Sequence, residues 1–183
     1  MNILLLGATG SIGKSVLSVI NQNNSELSLF GIAFNKNTIE ANNIVKNFAP
    51  SYVYIDDYDT FKNQNPAIKT KYINGDSALT DLINHEDVDV IICAISGFAG
   101  LKAAYIAAST GKKILLANKE SIVAGGDIIL PLAKSNNSEI IPIDSEHNAI
   151  FQCLLGEDDT KDVKKITITA SGGPFLNKKL SEL

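Results

Sequence analysis

Short, solidly apolar runs alternate with segments of helical period from the first residue to about residue 145, and this rhythm narrows the fold more than any other feature. Strand-like runs fall at 2–6, 27–33, 51–55, 71–74, 88–94, 113–117 and 139–143. Helix-period segments fall at 11–23, 37–48, 77–84, 98–110, 120–135 and 145–155. Strands that are apolar throughout, rather than at alternate positions, are buried on both faces. Helices between them supply the crossovers that parallel strands require. The pattern predicts an α/β fold with a doubly wound parallel sheet.

Beyond residue 155 the style changes. Gly156-Glu157-Asp158-Asp159 reads as a polar loop, and Val163-Lys164-Lys165-Ile166-Thr167-Ile168-Thr169 alternates apolar with charged or hydroxyl residues. Alternation predicts a half-exposed strand at 163–169, in a unit built differently from the first. That unit opens at about Ser145 and is not closed by Leu183, too few residues for a second core. The expectation is a domain at 1–144 followed by the start of an α+β domain at 145–183, within a longer protein.

Composition excludes several function classes. The 183 residues are 45% hydrophobic with net charge −4, which suits a packed core and gives no electrostatic case for nucleic acid. All 16 basic residues are lysines, so phosphate must be held by lysine, hydroxyls and backbone N–H groups rather than by guanidinium forks. Cys93 lies inside an apolar run, as a reduced core thiol would. Met1-Asn2 leads at once into Ile3-Leu4-Leu5-Leu6, and no apolar run approaches membrane-spanning length. A cytoplasmic protein with no membrane partner is expected.

The first strand delivers the chain into Gly7-Ala8-Thr9-Gly10-Ser11-Ile12-Gly13, which opens the first helix. Glycines spaced by three permit a tight turn, close backbone approach to a diphosphate and close helix–strand packing. The N–H groups and the helix dipole then receive the phosphates. Between the first strand and first helix of a βαβ series, this pattern predicts a Rossmann-like dinucleotide site. A rival motif overlaps it: Ala8, Gly13, Lys14 and Ser15 resemble a loosened P-loop, as in an NTPase. At the tip of the second strand, Asn35-Lys36-Asn37 offers a cation and donors where NAD-specific sites carry an acid. A 2′-phosphate, hence NADP(H), suits it better; Asn37 or Thr38 could equally cap the next helix.

Chemistry is expected where strands end. Asn118-Lys119-Glu120 follows the sixth apolar run, with Lys119 placed to hold a substrate oxygen or phosphate and Asn118 to bond a cofactor. Glu120 is either a binding residue or a first-turn acid favouring the helix dipole. Gly125-Gly126 inside the following helix implies close packing or a break. Asp144-Ser145-Glu146 brings two acids to the end of an apolar run. On an extended backbone both would point the same way and could share Mg²⁺ or Mn²⁺; otherwise Asp144 caps the helix that Glu146 supports. Ser171, followed by Gly172-Gly173, is either an anion nest or an ordinary turn. His85, among Asn84 and Glu86-Asp87, is expected at the surface.

Taken in order, Gly7–Gly13, Ala117-Asn118-Lys119-Glu120-Ser121, Pro142-Ile143-Asp144-Ser145-Glu146-His147-Asn148 and Thr169-Ala170-Ser171-Gly172-Gly173-Pro174-Phe175 resemble the 1-deoxy-D-xylulose 5-phosphate reductoisomerase family. The resemblance runs the whole length of the chain. It implies an NADPH- and divalent-metal-dependent enzyme (Mg²⁺, Mn²⁺ or Co²⁺) acting on a sugar phosphate in non-mevalonate isoprenoid synthesis, commonly as a homodimer. Gly7, Thr9, Gly10, Ser11 and Ile12 would form the diphosphate loop, and Asn35, Lys36 and Asn37 the 2′-phosphate contact. The family often has glycine where Asn35 stands. Asn118 and Glu120 would touch the cofactor. Lys119, Ser145, Glu146 and Ser171 would hold the substrate, and Asp144 and Glu146 the metal, with Lys119, Asp144 and Glu146 as the catalytic groups. A third metal carboxylate would lie beyond Leu183. The implied chemistry is a skeletal rearrangement assisted by a Lewis acid, then hydride transfer. In isolation such a chain is also compatible with a module that binds nucleotide without doing chemistry.

Overall fold

Leu4, Leu5 and Leu6 expose no surface at all, because their strand lies in the middle of a sheet covered on both sides. The computed structural model describes residues 1–55, 61, 69–156, 163–168, 177–179 and 182. Its strands are β1 (Asn2–Leu6), β2 (Ser28–Ala33), β3 (Tyr52–Tyr54), β4 (Lys71–Ile73), β5 (Val90–Cys93), β6 (Lys113–Leu116) and β7 (Glu139–Pro142). They form one sheet in the order β4-β3-β2-β1-β5-β6-β7, and every neighbouring pair is parallel. The chain therefore winds outward from β1 to one edge, returns to β1's other side at β5, and winds outward again. This is the doubly wound parallel sheet that the apolar runs predict.

Between the strands lie α1 (Ser11–Gln22), α2 (Thr38–Phe48), α3 (Asp76–Asn84), α4 (Leu101–Ala108) and α5 (Lys119–Ser135). Successive residues of a strand face opposite sides, which divides the apolar runs between two cores. Leu4, Leu6, Ile91, Cys93 and Ile114 pack with Leu82 of α3, Ala104 of α4 and Ile129 of α5. Ile3, Leu5, Ile32, Val90 and Ile92 pack instead with Leu17 and Ile20 of α1 and Ile44 of α2. Burial of each large side chain contributes about 1.5–3 kcal/mol, so the central strands anchor the sheet. α5 kinks at Gly125, whose φ of −139° and ψ of 15° leave the helical region. A Cβ there would stand 2.8 Å from Leu101 Cδ1, so the glycine pair serves both close packing and a helix break.

Two sequence expectations need correction. His85 is half-buried: its ring stacks 4.8 Å from Phe30 and 5.3 Å from Tyr52, and Lys112 Nζ donates to its carbonyl and to that of Ile83. The turn after α3 brings it against the rings of Phe30 and Tyr52, which its polar neighbours in sequence could not reveal. Residues 163–168 form no strand, and Ile166 and Ile168 are exposed. A strand needs a neighbour to pair with, and none reaches this segment among the described residues.

The chain divides into two compact units, Met1–Asp144 and Ser145–Leu183. The first holds the sheet. The second begins with α6 (Ser145–Cys153), none of whose residues is buried. No helix among the described residues is long and apolar enough to cross a membrane.

Burial separates the two thiols chemically. Desolvation pushes Cys93 up to about 12, whereas Cys153 is exposed. Ellman's reagent should therefore titrate one thiol in the native chain, Cys153, and reach Cys93 only on unfolding. Rapid reaction of both under native conditions would contradict the packing at β5.

Candidate functional site

A sheet wound in two directions leaves a crevice beyond the carboxyl ends of its central strands, where the crossovers depart to opposite faces. Here that crevice opens between the ends of β1 and β5. Gly7 leaves β1 at a φ of +93°, which glycine alone adopts readily. A Cβ on it would lie 2.4 Å from Ala94 O at the end of β5, so the turn presses against the neighbouring strand. Gly7 N and Ala8 N both donate to Ala33 O, at 2.8 and 3.0 Å, and Gly10 N donates to Gly7 O at 3.1 Å. The turn is thus fixed by backbone bonds to β2. It delivers Gly10 as the N-cap of α1 with no side chain capping it and no acid in the first turn. An uncapped helix start of this kind suits an anion.

Gly7, Thr9 and Gly10 line a cleft of about 380 Å³ together with Asn35, Ile95 and Ser96. Ser11 is exposed at the start of α1. The side chain of Ile12 faces elsewhere, lining an apolar hollow with Val16, Ile92 and Leu115. Any ligand contact at Ile12 therefore falls to its backbone. Asn35, Lys36 and Asn37 are all exposed at the tip of β2, with no acid among them. Asn37 also caps α2, its side chain accepting from Glu40 N at 3.1 Å. Lys14 does not return over the glycine turn as a P-loop lysine must. It reaches α2 instead, 3.7 Å from Glu40, and Ser15 Oγ bonds back to Ser11 O.

At the end of β6, Lys119 and Glu120 are exposed in the first turn of α5. Asn118 is not displayed to the cleft as the sequence suggests: it is buried, and its side chain bonds within the protein. The backbone after β7 also differs from the extended pair envisaged for Asp144 and Glu146. The strand ends at Pro142, Asp144 sits at a bend, and Glu146 falls in the first turn of α6. Helix formation from Ser145 thus replaces the period-two geometry that would have aligned the acids. Ser145 and Glu146 are exposed, and Ser171 lies outside the described residues. Among the described residues no three His, Cys, Asp or Glu side chains gather where they could hold a metal.

The sequence reading overlooked the far wall of the cleft. Ala94, Ile95 and Ser96 line it, and Lys102 and Asp76 border it as an ion pair of 2.6 Å. The apolar run at 88–94 was the available signal, since its carboxyl end must flank the crevice once β5 neighbours β1.

A parallel sheet wound both ways from its central strand, with a glycine turn opening on the carboxyl ends, defines a Rossmann-like α/β protein. The family model described as 1-deoxy-D-xylulose 5-phosphate reductoisomerase matches residues 3–126, and the model for that enzyme's C-terminal domain matches residues 140–183. The chain belongs to the 1-deoxy-D-xylulose 5-phosphate reductoisomerase family. It is 42% identical over 183 residues to the 1-deoxy-D-xylulose 5-phosphate reductoisomerase of Vesicomyosocius okutanii, covering 99% of this chain and 47% of that protein. A crystal structure of DOX-P reductoisomerase in complex with NADPH, fosmidomycin and magnesium superposes with a TM-score of 0.91 at 35% identity, over 99% of this chain and 48% of that one. The Zymomonas mobilis enzyme in complex with NADPH gives a TM-score of 0.85 at 34% identity, over 99% and 48%. The chain thus spans about half the length of the curated relatives it matches.

Replacing Gly7 by alanine forces a left-handed backbone on a residue with a Cβ and drives that Cβ into Ala94 O. Chemical denaturation of Gly7→Ala should show a loss of at least about 2 kcal/mol, and nucleotide binding should fall with it. A variant as stable as the parent would show that the turn is not pressed against β5.

Proposed function

We propose that the protein is an NADPH- and divalent-metal-dependent reductoisomerase that converts 1-deoxy-D-xylulose 5-phosphate to 2-C-methyl-D-erythritol 4-phosphate in the non-mevalonate isoprenoid pathway. Residues 1–144 form its cofactor domain and residues 145–183 the beginning of its catalytic domain. The observation that carries this reading is the uncapped start of α1, opening on the cleft between β1 and β5 in a chain that matches the family from end to end. The same family includes a structure solved with NADPH and magnesium.

The residues at the cleft fit the cofactor. Thr9, Gly10 and Ser11 present hydroxyl and backbone donors to a diphosphate at the helix start. Lys36, between two asparagines at the tip of β2, meets the 2′-phosphate that distinguishes NADPH from NADH. The acids fit a hard cation by donor type, since carboxylate oxygens suit Mg²⁺ and Mn²⁺. Asp144 and Glu146 are the two ligands this chain offers, the rest coming from the other half of the protein. When bound, NADPH supplies the hydride and the cation supplies Lewis acidity. Lys119 holds the substrate's oxygens at the end of β6, Ser145 and Ser171 add hydroxyl donors, and Glu120 lies beside the cofactor. The whole protein works in the cytoplasm as a homodimer.

The purified chain separates this reading from its rivals by titration. NADPH should bind at least tenfold tighter than NADH, and Lys36→Ala should remove most of that preference, a charge-assisted hydrogen bond being worth about 1.5–3 kcal/mol. Preference for ATP over NADPH would instead favour an NTPase. In the full-length enzyme, Asp144→Asn should abolish turnover while leaving NADPH affinity unchanged, and undiminished turnover would remove Asp144 from the metal site.

A further inference from the structure

Asn118 is the most heavily engaged polar side chain near the cleft. It is 2% exposed, and Ser121 beneath it is fully buried. The amide Nδ2 donates to Ile95 O and, at 2.8 Å, to Gly97 O. The amide Oδ1 accepts from Ser121 N at 2.7 Å and from the Ser121 hydroxyl. An asparagine side chain has two N–H donors and two acceptor positions, and all four are used. The partners also fix its orientation: the nitrogen faces two carbonyls and the oxygen faces an N–H, so a flipped amide would be repelled at those three contacts.

The surrounding backbone is shaped around this side chain. Gly97 has a φ of 70° and a ψ of −165°, a region essentially restricted to glycine. A Cβ on Gly100 would lie 2.6 Å from Ile95 O and 2.9 Å from Asn118 Nδ2, so only glycine leaves room for the amide. One side chain at the end of β6 thereby ties the turn leaving β5 to the start of α5. That turn is the cleft wall overlooked by the sequence reading, where Ile95 and Ser96 stand opposite Gly7 and Gly10.

We infer that the Asn118 side chain is a positioning group: it holds the Ile95–Gly97 turn in place as the nicotinamide-side wall of the cleft. The inference rests on the NADPH reading above. With the adenosine phosphate at the tip of β2 and the diphosphate at α1, the remaining half of a dinucleotide extends toward β5 and β6. A wall that moves when Asn118 is truncated should therefore weaken the grip on that half alone.

The test compares two ligands on the purified chain: NADPH, and adenosine 2′,5′-bisphosphate, which shares the adenosine 2′-phosphate but lacks the nicotinamide half. Asn118→Ala should raise the Kd for NADPH about tenfold, as loss of buried hydrogen bonds to the wall implies, and change that for the bisphosphate by less than about twofold. Ser121→Ala removes a single hydroxyl from a buried site and should fold normally, giving the same split with a smaller loss. Equal weakening of both ligands, or no change in either, overturns the inference. A parent chain that binds neither ligand counts against the cofactor reading instead, and the clamp is then decided by hydrogen exchange. Amides of residues 95–100 should exchange at least about tenfold faster in Asn118→Ala while those of β1 are unaltered. Unchanged protection at 95–100 would overturn the clamp without any ligand.

Discussion

The contact between Gly7 and the carbonyl of Ala94 is the constraint on which the rest of the site depends. It sets how closely the turn after β1 approaches the end of β5, and so the width of the crevice between the two crossovers. No side chain can occupy that gap, since a Cβ would overlap the carbonyl at 2.4 Å. The close approach also orients α1, because Gly7 and Ala8 are bonded to the same oxygen of Ala33. A helix start fixed this rigidly keeps its donors in place before any ligand arrives, which lowers the ordering cost of binding.

The two sides of the crevice are built by different means. On the side of β1 and β2 the chain uses backbone and exposed polar groups: Gly10 at an uncapped helix start, and Asn35 to Asn37 at a strand tip. On the opposite side the wall is held from behind by a buried amide with every hydrogen bond satisfied. Buried polar groups of this kind are costly unless fully paired. Asn118 meets that condition through Ile95, Gly97 and Ser121, so it can specify one geometry for a turn that contains little apolar packing of its own. With no arginine in the chain, lysine and backbone N–H groups are the donors it offers to an anion, and the directions of backbone donors depend on such fixed supports.

How much of this was legible in the sequence follows from the range of the forces involved. The strands and helices were readable because period-two and period-3.6 patterns arise within each segment, and solid apolar runs such as Ile3–Leu6 imply burial on both faces. The glycine turn was readable because its requirement is local. Asn118 was legible as a residue at a strand end, but its role was not, since the turn that it holds lies more than twenty residues earlier in the chain. His85 was misjudged for the same reason: its aromatic partners Phe30 and Tyr52 are distant in sequence. The alternating segment at 163–168 carried a strand pattern, but pattern alone cannot supply the neighbour that a ladder requires.

The acids at 144 and 146 show how a local competition decides what spacing means. An i, i+2 pair aligns two carboxylates only while the backbone stays extended, and here the helix begins between them. Glu146 then gains favourable interaction with the helix start, whereas Asp144 ends the sheet-bearing unit. With Asp144 where the sheet-bearing unit ends and Glu146 on a new helix, strand period no longer relates the two carboxylates. The cleft at the ends of β1 and β5, by contrast, is lined entirely by residues of the sheet-bearing unit, Met1–Asp144.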